Sequence, residues 1–286
     1  MAPERGTGDR PSQLALLKAH GIRPVKRRGQ NFLLDGNLAR AIAQDTVALG
    51  DRVLELGAGG GALTGPLLAA GAAVTAVEVD RNLCAVLLSE YGDVASFRLV
   101  EADLARLDWA ATVDQAGPRP VVAGNLPYVL TSTVLFALAE LHDQVAGGVF
   151  MVQREVAERM VAQPGGRDYG VLAVVLGAVF AVAVVRPVPA TVFWPQPDVE
   201  SAIVRLVPRD RWERAEFAAF IATVKTLFGQ RRKKLGTLLK KHYDLDAEGA
   251  LAAAAAAGVD PEVRPEQVGV EGWRRLASVL ATKRTS

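Results

Sequence analysis

Short apolar runs alternate with segments of helical periodicity along the first two thirds of the chain. The apolar runs predict strands at residues 52–56, 74–78, 96–100, 121–124, 147–152, 180–185 and 202–206. Between them, apolar positions spaced three and four residues apart predict helices at residues 62–70, 83–89 and 153–161. Strands that alternate with helices predict an α/β fold built on a doubly wound parallel sheet.

The pattern changes after residue 208. Apolar side chains then recur at helical spacing without intervening strands, at Phe217, Phe220, Ile221, Val224, Leu227 and Phe228. We therefore predict a flexible basic arm at residues 1–28, a sheet domain at residues 29–207 and a smaller helical domain at residues 208–286. The uncharged stretch at residues 171–185 is short for a membrane span, and we expect a buried helix that passes into a buried strand.

Composition excludes several classes of protein. The chain has 286 residues, one cysteine (Cys84) and three histidines, so we expect neither a disulfide framework nor a metal site. The N-terminus carries charges but has no apolar core of signal-peptide length. We therefore predict a cytoplasmic protein with no membrane segment and no bound metal.

Charge is distributed unevenly, although the net charge is only +2. Residues 51–150 carry 5 basic and 12 acidic side chains, whereas residues 205–243 carry 11 basic and 3 acidic ones. The basic part is a candidate surface for a polyanion, and basic residues of the arm could add phosphate contacts. These arm residues are Arg23, Lys26, Arg27 and Arg28. Each cluster taken alone is explained equally well as the solvated face of an ordinary helix.

Three strand ends carry residues suited to a nucleoside. Gly57 and Gly59 lie in the turn after the first strand, where missing side chains let the backbone approach a ligand. Glu78 ends the second strand, at the place from which a carboxylate binds two ribose hydroxyls. Asp103 follows the third strand, where it either accepts from an adenine amino group or caps a helix. Together they predict an adenosine pocket and leave NAD and S-adenosylmethionine open.

The segment Asn125-Leu126-Pro127-Tyr128 follows the fourth strand and favours one of these cofactors. Pro127 forces Leu126 out of helical space, so the Leu126 carbonyl and the Asn125 side chain can both accept hydrogens from an amine. Tyr128 offers an aromatic face to the ring that bears this amine. Two such acceptors favour methyl transfer to an aromatic amine, whereas no residue set for hydride transfer is found at the strand ends. The alternative is a proline-aromatic turn that only packs.

Further motifs follow one another in order from Gly29 to Leu280. They are Gly29-Gln30-Asn31-Phe32-Leu33-x-Asp35, the glycine motif from Glu55 to Thr64, Glu78-x-Asp80, Asp103-Leu104, Asn125-Leu126-Pro127-Tyr128, Gln153-x-Glu155-Val156-Ala157-x-Arg159, Tyr169-Gly170-x-Leu172, Phe193-x-Pro195-x-Pro197-x-Val199-x-Ser201 and Phe228-x-Gln230-Arg231-Arg232-Lys233. In this order and spacing the chain resembles the N6-adenine dimethyltransferases that modify ribosomal RNA, specifically the KsgA type that acts on the small subunit. It departs from the family's frequent residues at Ala58, Thr131 and Gly177.

The resemblance implies a Rossmann-like S-adenosylmethionine-dependent methyltransferase sheet with a smaller C-terminal helical domain that binds rRNA. The cofactor pocket that it implies consists of Asn31, Leu33, Gly57, Gly59, Glu78, Asp103 and Asn125. The catalytic set that it implies consists of Asn125, Leu126, Pro127, Tyr128 and Phe193, with the target adenine between the two aromatic rings. The basic run implied to face the rRNA consists of Arg231, Arg232, Lys233 and Lys234.

The implied reaction is the transfer of two methyl groups from S-adenosylmethionine to each N6 atom of two adjacent adenosines, in a hairpin loop near the 3′ end of 16S rRNA. The expected partner is small-subunit rRNA in a 30S assembly intermediate, and the enzyme is expected to act as a monomer in ribosome biogenesis. Three alternatives stay open. They are a 23S rRNA adenine N6-methyltransferase of the macrolide-resistance type, a noncatalytic ribosome-assembly factor and, more distantly, a nicotinamide oxidoreductase.

Overall fold

The structure is a computed structural model that describes residues 12–25, 29–209 and 211–283. Within the predicted arm, Gln13–Ala19 forms a helix, α1, which the Ser12 hydroxyl caps by accepting from the Ala15 backbone N–H at 3.3 Å. Leu17 of this helix is buried in an apolar cluster, which gives the helix a face to pack. The basic residues Lys26, Arg27 and Arg28 lie outside the described residues, and their role as an arm stays a prediction.

Strands and helices alternate up to residue 160, and after that point several helices or several strands follow one another. The strands are β1 (Phe32–Leu33), β2 (Arg52–Leu56), β3 (Ala73–Glu78), β4 (Phe97–Glu101), β5 (Val121–Asn125), β6 (Gly147–Gln153), β7 (Phe180–Val188), β8 (Phe193–Trp194) and β9 (Ser201–Pro208). The helices after α1 are α2 (Gly36–Val47), α3 (Thr64–Ala69), α4 (Arg81–Tyr91), α5 (Trp109–Gln115), α6 (Thr131–Glu140), α7 (Arg154–Met160), α8 (Val171–Val179), α9 (Arg214–Phe228), α10 (Leu235–Tyr243), α11 (Ala247–Ala256) and α12 (Val270–Lys283).

Within the described residues, seven strands form one sheet in the order β4-β3-β2-β5-β6-β9-β7, and β1 pairs with β8 in a separate ladder. Strands β4, β3, β2 and β5 run parallel, with Leu54 opposite Thr75 of β3 and Val122 of β5. Parallel neighbours need crossover connections, which the intervening helices supply. The predicted α/β class is confirmed, and the carboxyl ends of these four strands meet at one edge of the sheet.

Strands at the centre and at the edge of the sheet differ in burial. Val53, Leu54 and Leu56 of β2 are fully buried, as expected of a parallel strand covered on both faces. Helix α8 is buried as predicted, but in β7 only Phe180 and Val188 are buried. The prediction of a buried strand at residues 180–185 is therefore wrong, because β7 is the last strand in the order and lies at the sheet edge.

The chain divides into two compact units. The first comprises Met1–Thr131, Gly148–Gln153 and Arg186–Ile203, and the second comprises Ser132–Gly147, Arg154–Val185 and Val204–Ser286. The second unit thus contains helices α7 and α8 as well as α9 to α12, whereas the boundary predicted from the sequence lies at residue 208. That boundary stays a prediction. None of the helices in the described part of the chain is long and apolar enough to span a membrane.

Aromatic side chains form much of the core of the second unit. Trp212 packs against Phe217 and Phe220, with ring centroids 5.5 and 4.9 Å apart. The buried His142 joins them, because its Nδ1 lies 2.9 Å from the Ala139 carbonyl oxygen and its Nε2 lies 3.3 Å from the Trp212 backbone nitrogen. A neutral imidazole that donates from Nδ1 and accepts at Nε2 satisfies both contacts. His142 is therefore a structural residue.

Gly124 of β5 has no room for a side chain, because an added Cβ would lie 2.4 Å from the Leu56 carbonyl oxygen of β2. We expect Gly124→Ala to lower the free energy of unfolding by about 3 kcal/mol, since a packed sheet relaxes poorly around an added methyl group. Urea unfolding followed by circular dichroism measures this change. In the control Gly170→Ala, the added Cβ meets nothing within 4 Å, and we expect a change below about 1 kcal/mol. Similar effects of the two substitutions would contradict this account.

Candidate active site

A cavity of about 360 Å³ lies in the first unit, at the edge where the parallel strands end. Its wall includes the glycine turn after β2, the end of β3, and the turns after β4 and β5. This volume is within the range of small-ligand and cofactor sites. The predicted site residues that line it are Asn31, Leu33, Gly57, Gly59, Glu78, Asp103, Asn125, Leu126, Pro127 and Tyr128.

The glycine turn is held against the end of β3. The backbone N–H groups of Gly57 and Ala58 both donate to the Val77 carbonyl, at 2.9 and 3.1 Å. Gly57 and Gly59 have φ angles of +67° and +57°, in the left-handed region that residues with a Cβ adopt at a cost. The glycines therefore allow a sharp turn that stays bonded to the neighbouring strand and exposes its backbone to the cavity.

Glu78 is held by three backbone donors. Its Oε2 accepts from the Gly59 N–H at 2.8 Å, and its Oε1 accepts from the N–H groups of Val79 and Asp80, each at 2.9 Å. Burial raises the pKa of Glu78 above its ordinary value, while these three hydrogen bonds lower it. A carboxylate has about four acceptor positions, so roughly one position on Oε2 remains for a ligand hydroxyl. Binding two ribose hydroxyls would require them to share it.

Asp103 caps a short helix and also lines the cavity. Its Oδ1 accepts from the Ala105 N–H at 2.9 Å and thereby caps the short 3₁₀ helix Leu104–Arg106. The same residue lines the cavity. Within the described residues its Oδ2 accepts no hydrogen bond, so that oxygen can receive an amino group of a ligand. The helix cap thus holds the carboxylate in place without using up its acceptor capacity.

The side chain of Asn125 is oriented by a hydrogen bond to the backbone of Asn31. Its Nδ2 donates to the Asn31 carbonyl at 2.9 Å, which leaves Oδ1 as the free end of the amide. The Leu126 N–H donates to Met151 of β6, at 3.2 Å, whereas the Leu126 carbonyl accepts no hydrogen bond within the described residues. Two acceptors, Asn125 Oδ1 and the Leu126 carbonyl, are therefore available on adjacent residues of the cavity wall.

The two predicted aromatic residues differ in exposure. Tyr128 is partly exposed and lines the cavity, whereas Phe193 is 4% exposed and is not among the residues that line it. Phe193 instead pairs with Leu33 in the β1–β8 ladder, and Leu33 does line the cavity. The structure therefore brings Tyr128 to the site directly and Phe193 only beside it. An adenine held between the two rings stays a prediction.

Glu55 lines the cavity as well, although no role was predicted for it from the sequence. It is 2% exposed, and its Oε2 accepts from the Thr64 hydroxyl at 2.6 Å. Burial raises the pKa of Glu55 to about 8; the Thr64 hydrogen bond opposes this rise and repulsion from Glu78 adds to it. The carboxyl is thus largely neutral at pH 7. An acid inside the apolar run Arg52–Leu56 was the signal that could have identified it.

The first residue of the predicted RNA-binding run has structural contacts in the second unit. Arg231 Nη2 donates to the carbonyls of Arg167 and Tyr169, at 3.3 and 3.0 Å. Arg231 Nε also lies 3.9 Å from a carboxylate oxygen of Glu266. These contacts fasten a loop that has no helix or strand of its own. Arg231 therefore has a function within the fold that is independent of any nucleic acid.

The other members of the run divide in the same way. Lys234 forms an ion pair with Glu262. Arg232 and Lys233 are exposed, and their side chains have no partner within the described residues. A cation without an intramolecular partner needs no rearrangement to bind a phosphate. The run thus contains two side chains engaged with the protein and two that are free for a polyanion.

A family model matches nearly the whole sequence. The model of ribosomal RNA adenine dimethylase matches residues 23–282, which include every residue predicted for the cofactor, catalytic and RNA-binding sites. The chain belongs to the ribosomal RNA adenine dimethylase family. The single family model therefore covers both the residues that line the cavity and the basic run at residues 231–234.

Curated relatives match over almost their full length. The ribosomal RNA small subunit methyltransferase A of Anaeromyxobacter sp. (strain K) is 45% identical over 284 residues, which cover 94% of this chain and 98% of the relative. The protein of the same name from Moorella thermoacetica is 40% identical over 281 residues, which cover 93% of this chain and 96% of the relative.

Two solved structures share the fold. A dimethyladenosine transferase from Plasmodium falciparum superposes with a TM-score of 0.74 at 22% identity, over 88% of this chain and 98% of that one. The 23S rRNA methyltransferase ErmE superposes with a TM-score of 0.65 at 27% identity, over 88% of this chain and all of that one. The predicted methyltransferase fold, enzyme class and family are confirmed, and with them S-adenosylmethionine as the cofactor.

The buried carboxyl of Glu55 predicts that stability depends on pH. Its pKa is about 8 in the folded chain against an ordinary 4.5, so the folded state keeps a proton that the unfolded state releases. The proton's contribution to the free energy of unfolding is complete when the pH is below the unfolded pKa. It is lost as the pH rises toward the folded pKa, at roughly 1.4 kcal/mol per pH unit. Gln carries no titrating proton, so we expect the free energy of unfolding of Glu55→Gln to rise relative to that of the parent by roughly 1.4 kcal/mol per pH unit. Urea unfolding of both proteins at about pH 6, 7 and 8 measures this difference. A constant difference would contradict the raised pKa.

Proposed function

We propose that this protein transfers methyl groups from S-adenosylmethionine to the N6 atoms of two adjacent adenosines of small-subunit rRNA, two methyls each, in a hairpin loop near the 3′ end of 16S rRNA. The observation that carries the proposal is the pair of free acceptors, Asn125 Oδ1 and the Leu126 carbonyl, on the wall of one cavity with the partly exposed Tyr128. An unmethylated exocyclic amino group has two hydrogens, and this pair can accept both in the first transfer; a monomethylated group has one hydrogen, which either acceptor can bind in the second transfer.

The residues of the cavity fit this cofactor. Glu78 has an open acceptor position for a ribose hydroxyl, Asp103 Oδ2 can accept from an adenine amino group, and Gly57 and Gly59 let the backbone approach closely. No lysine, arginine or histidine lines the described cavity, so its charge favours a cationic sulfonium over an anionic dinucleotide. When bound, S-adenosylmethionine supplies an electrophilic methyl group. The residues that would hold it are Asn31, Leu33, Gly57, Gly59, Glu78, Asp103 and Asn125.

The protein's own groups act on the target amine. The nitrogen lone pair of adenine N6 is delocalised into the ring, and acceptors on its hydrogens would stabilise the positive charge that develops as N6 receives the methyl group. N6 would then lose one proton to water, which leaves a neutral amine and, from the sulfonium, a neutral thioether. The Asn31 carbonyl keeps the oxygen of the Asn125 amide available for this role. Tyr128 can stack on the base once it has left its own stack in the RNA. Positioning and polarisation then account for catalysis without a protein nucleophile.

Small-subunit rRNA is favoured as the substrate by the relatives. The relatives from Anaeromyxobacter sp. (strain K) and Moorella thermoacetica, which are 45% and 40% identical, are named small subunit methyltransferases, whereas the 23S enzyme ErmE is 27% identical. Arg232 and Lys233 of the second unit are proposed to contact RNA phosphates, which position a substrate without reading its sequence. We extend the proposal to action as a monomer, in the cytoplasm, on a 30S assembly intermediate.

Replacement of Asn125 tests the proposed reaction. We expect Asn125→Ala to lower the rate of methyl transfer to 30S particles that lack dimethyladenosine by about 10²- to 10³-fold, as found for the loss of one preorganised polar group. Radiolabelled S-adenosylmethionine measures the rate, and circular dichroism checks the fold. The control Leu88→Ala, at an exposed position on α4, should keep the parent rate. A near-normal rate for Asn125→Ala would contradict the role of its side chain.

The parent protein distinguishes the rival substrates in the same assay. Labelling of naked 23S rRNA in preference to 30S particles would favour the resistance-type alternative. Binding to 30S particles with no incorporated label would favour the noncatalytic assembly factor. Label confined to N6,N6-dimethyladenosine of the small subunit, identified by mass spectrometry, is the result that the proposal requires.

The division of the basic run predicts different effects on RNA binding and on stability. We expect Arg232→Gln and Lys233→Gln each to reduce the slope of log K against log salt concentration by about 0.7 to 0.9, because each removes one phosphate contact. Arg231→Gln should lower the melting temperature instead, because it releases the carbonyls of Arg167 and Tyr169. Filter binding of a 16S rRNA fragment at several salt concentrations measures the slopes. An unchanged slope for both Arg232→Gln and Lys233→Gln would refute this assignment.

A further inference from the structure

Ser201 begins strand β9, and its side chain is completely buried. Its Oγ lies 3.1 Å from the Tyr128 hydroxyl oxygen, and this is the only hydrogen bond of its side chain within the described residues. Ser201 is the last residue of the motif that begins at Phe193, and it is not among the residues that line the cavity. Its neighbour across this bond is a residue that faces the proposed substrate.

The burial of Ser201 makes its hydrogen bond to Tyr128 costly to lose. A buried hydroxyl without a hydrogen-bond partner destabilises the fold, and Tyr128 Oη is the partner of Ser201. Tyr128 is partly exposed, so its own hydrogen can be satisfied by water or by a substrate. Either hydroxyl can be the donor, and in both cases the bond joins the Tyr128 side chain to a buried residue of β9.

The tyrosine is thus held at both ends. Its backbone starts the 3₁₀ helix Tyr128–Leu130, where the Leu130 N–H donates to the Pro127 carbonyl at 2.9 Å. Its hydroxyl is held by Ser201 at 3.1 Å. A side chain fixed in this way loses little rotational freedom when a ring stacks on it, and stacking geometry is sensitive to small displacements.

We propose that Ser201 is a positioning residue, which holds the aromatic ring of Tyr128 in the orientation that the target base requires. The inference rests on the proposed function, because it concerns the base that Tyr128 receives. It predicts an effect on the turnover of bound substrate. Affinity for the RNA comes largely from phosphate contacts and should be unaffected.

Kinetics of four variants test this role, with 30S particles lacking dimethyladenosine as the substrate. We expect Ser201→Ala to lower kcat about fivefold to tenfold, the effect of one hydrogen bond, and to leave KM for the particle within about twofold. Ser201→Cys keeps a similar shape but forms only weak hydrogen bonds, so it should resemble Ser201→Ala. Tyr128→Phe should show a loss of similar size, and the double variant Ser201→Ala with Tyr128→Phe should lose no more than Tyr128→Phe alone.

The outcomes separate positioning from packing. The inference would be overturned if Ser201→Ala keeps kcat within twofold of the parent value. It would also be overturned if Ser201→Ala lowers kcat by the same factor in the parent and in the Tyr128→Phe variant. If the Ser201 variants do not fold, Tyr128→Phe tests the same bond from its exposed side, and a parent-like kcat would overturn the inference as well. Failure of the proposed function is distinguishable, because then the parent itself transfers no methyl group to the particle.

Discussion

The hydrogen bond from the Asn125 amide to the Asn31 carbonyl is the interaction on which the proposed chemistry depends. An amide has a donor end and an acceptor end, and this bond occupies the donor end. The acceptor end is thereby left beside the Leu126 carbonyl, which is itself unpaired within the described residues. The opposite orientation would place a donor against an amine and remove the polarisation on which methyl transfer relies.

The two buried acids of the cavity wall, Glu78 and Glu55, are stabilised in different ways. Glu78 is buried but accepts three backbone hydrogen bonds, which compensate part of the cost of its charge. Glu55 has one hydroxyl partner and keeps its proton near neutral pH, since burial raises its pKa to about 8. Two adjacent buried carboxylates would repel each other. Neutralising Glu55 lets Glu78 and Asp103 supply the acceptors that a nucleoside needs.

Much of the framework was predictable because it follows from local rules. Apolar runs predicted the strands of the sheet, and acids or amides after those runs predicted Glu78, Asp103 and Asn125 on one edge. The sequence did not predict how many hydrogen bonds Glu78 accepts or that Asp103 Oδ2 is unpaired. It also did not predict that the Asn125 amide donates to the Asn31 carbonyl. Each depends on atoms from another strand or turn, at distances that sequence spacing does not specify.

The sequence by itself determined the fold class, the family and the residue types that meet at the strand ends, because periodicity and motif order are properties of the chain alone. Tertiary structure decided which of those groups are free. It paired Arg231 and Lys234 with other groups of the protein and left Arg232 and Lys233 without a partner within the described residues. It also paired Phe193 with Leu33 and hydrogen-bonded Ser201 to Tyr128. Such pairings join residues far apart in the chain, and only packing determines whether a polar group is satisfied internally or left for a ligand.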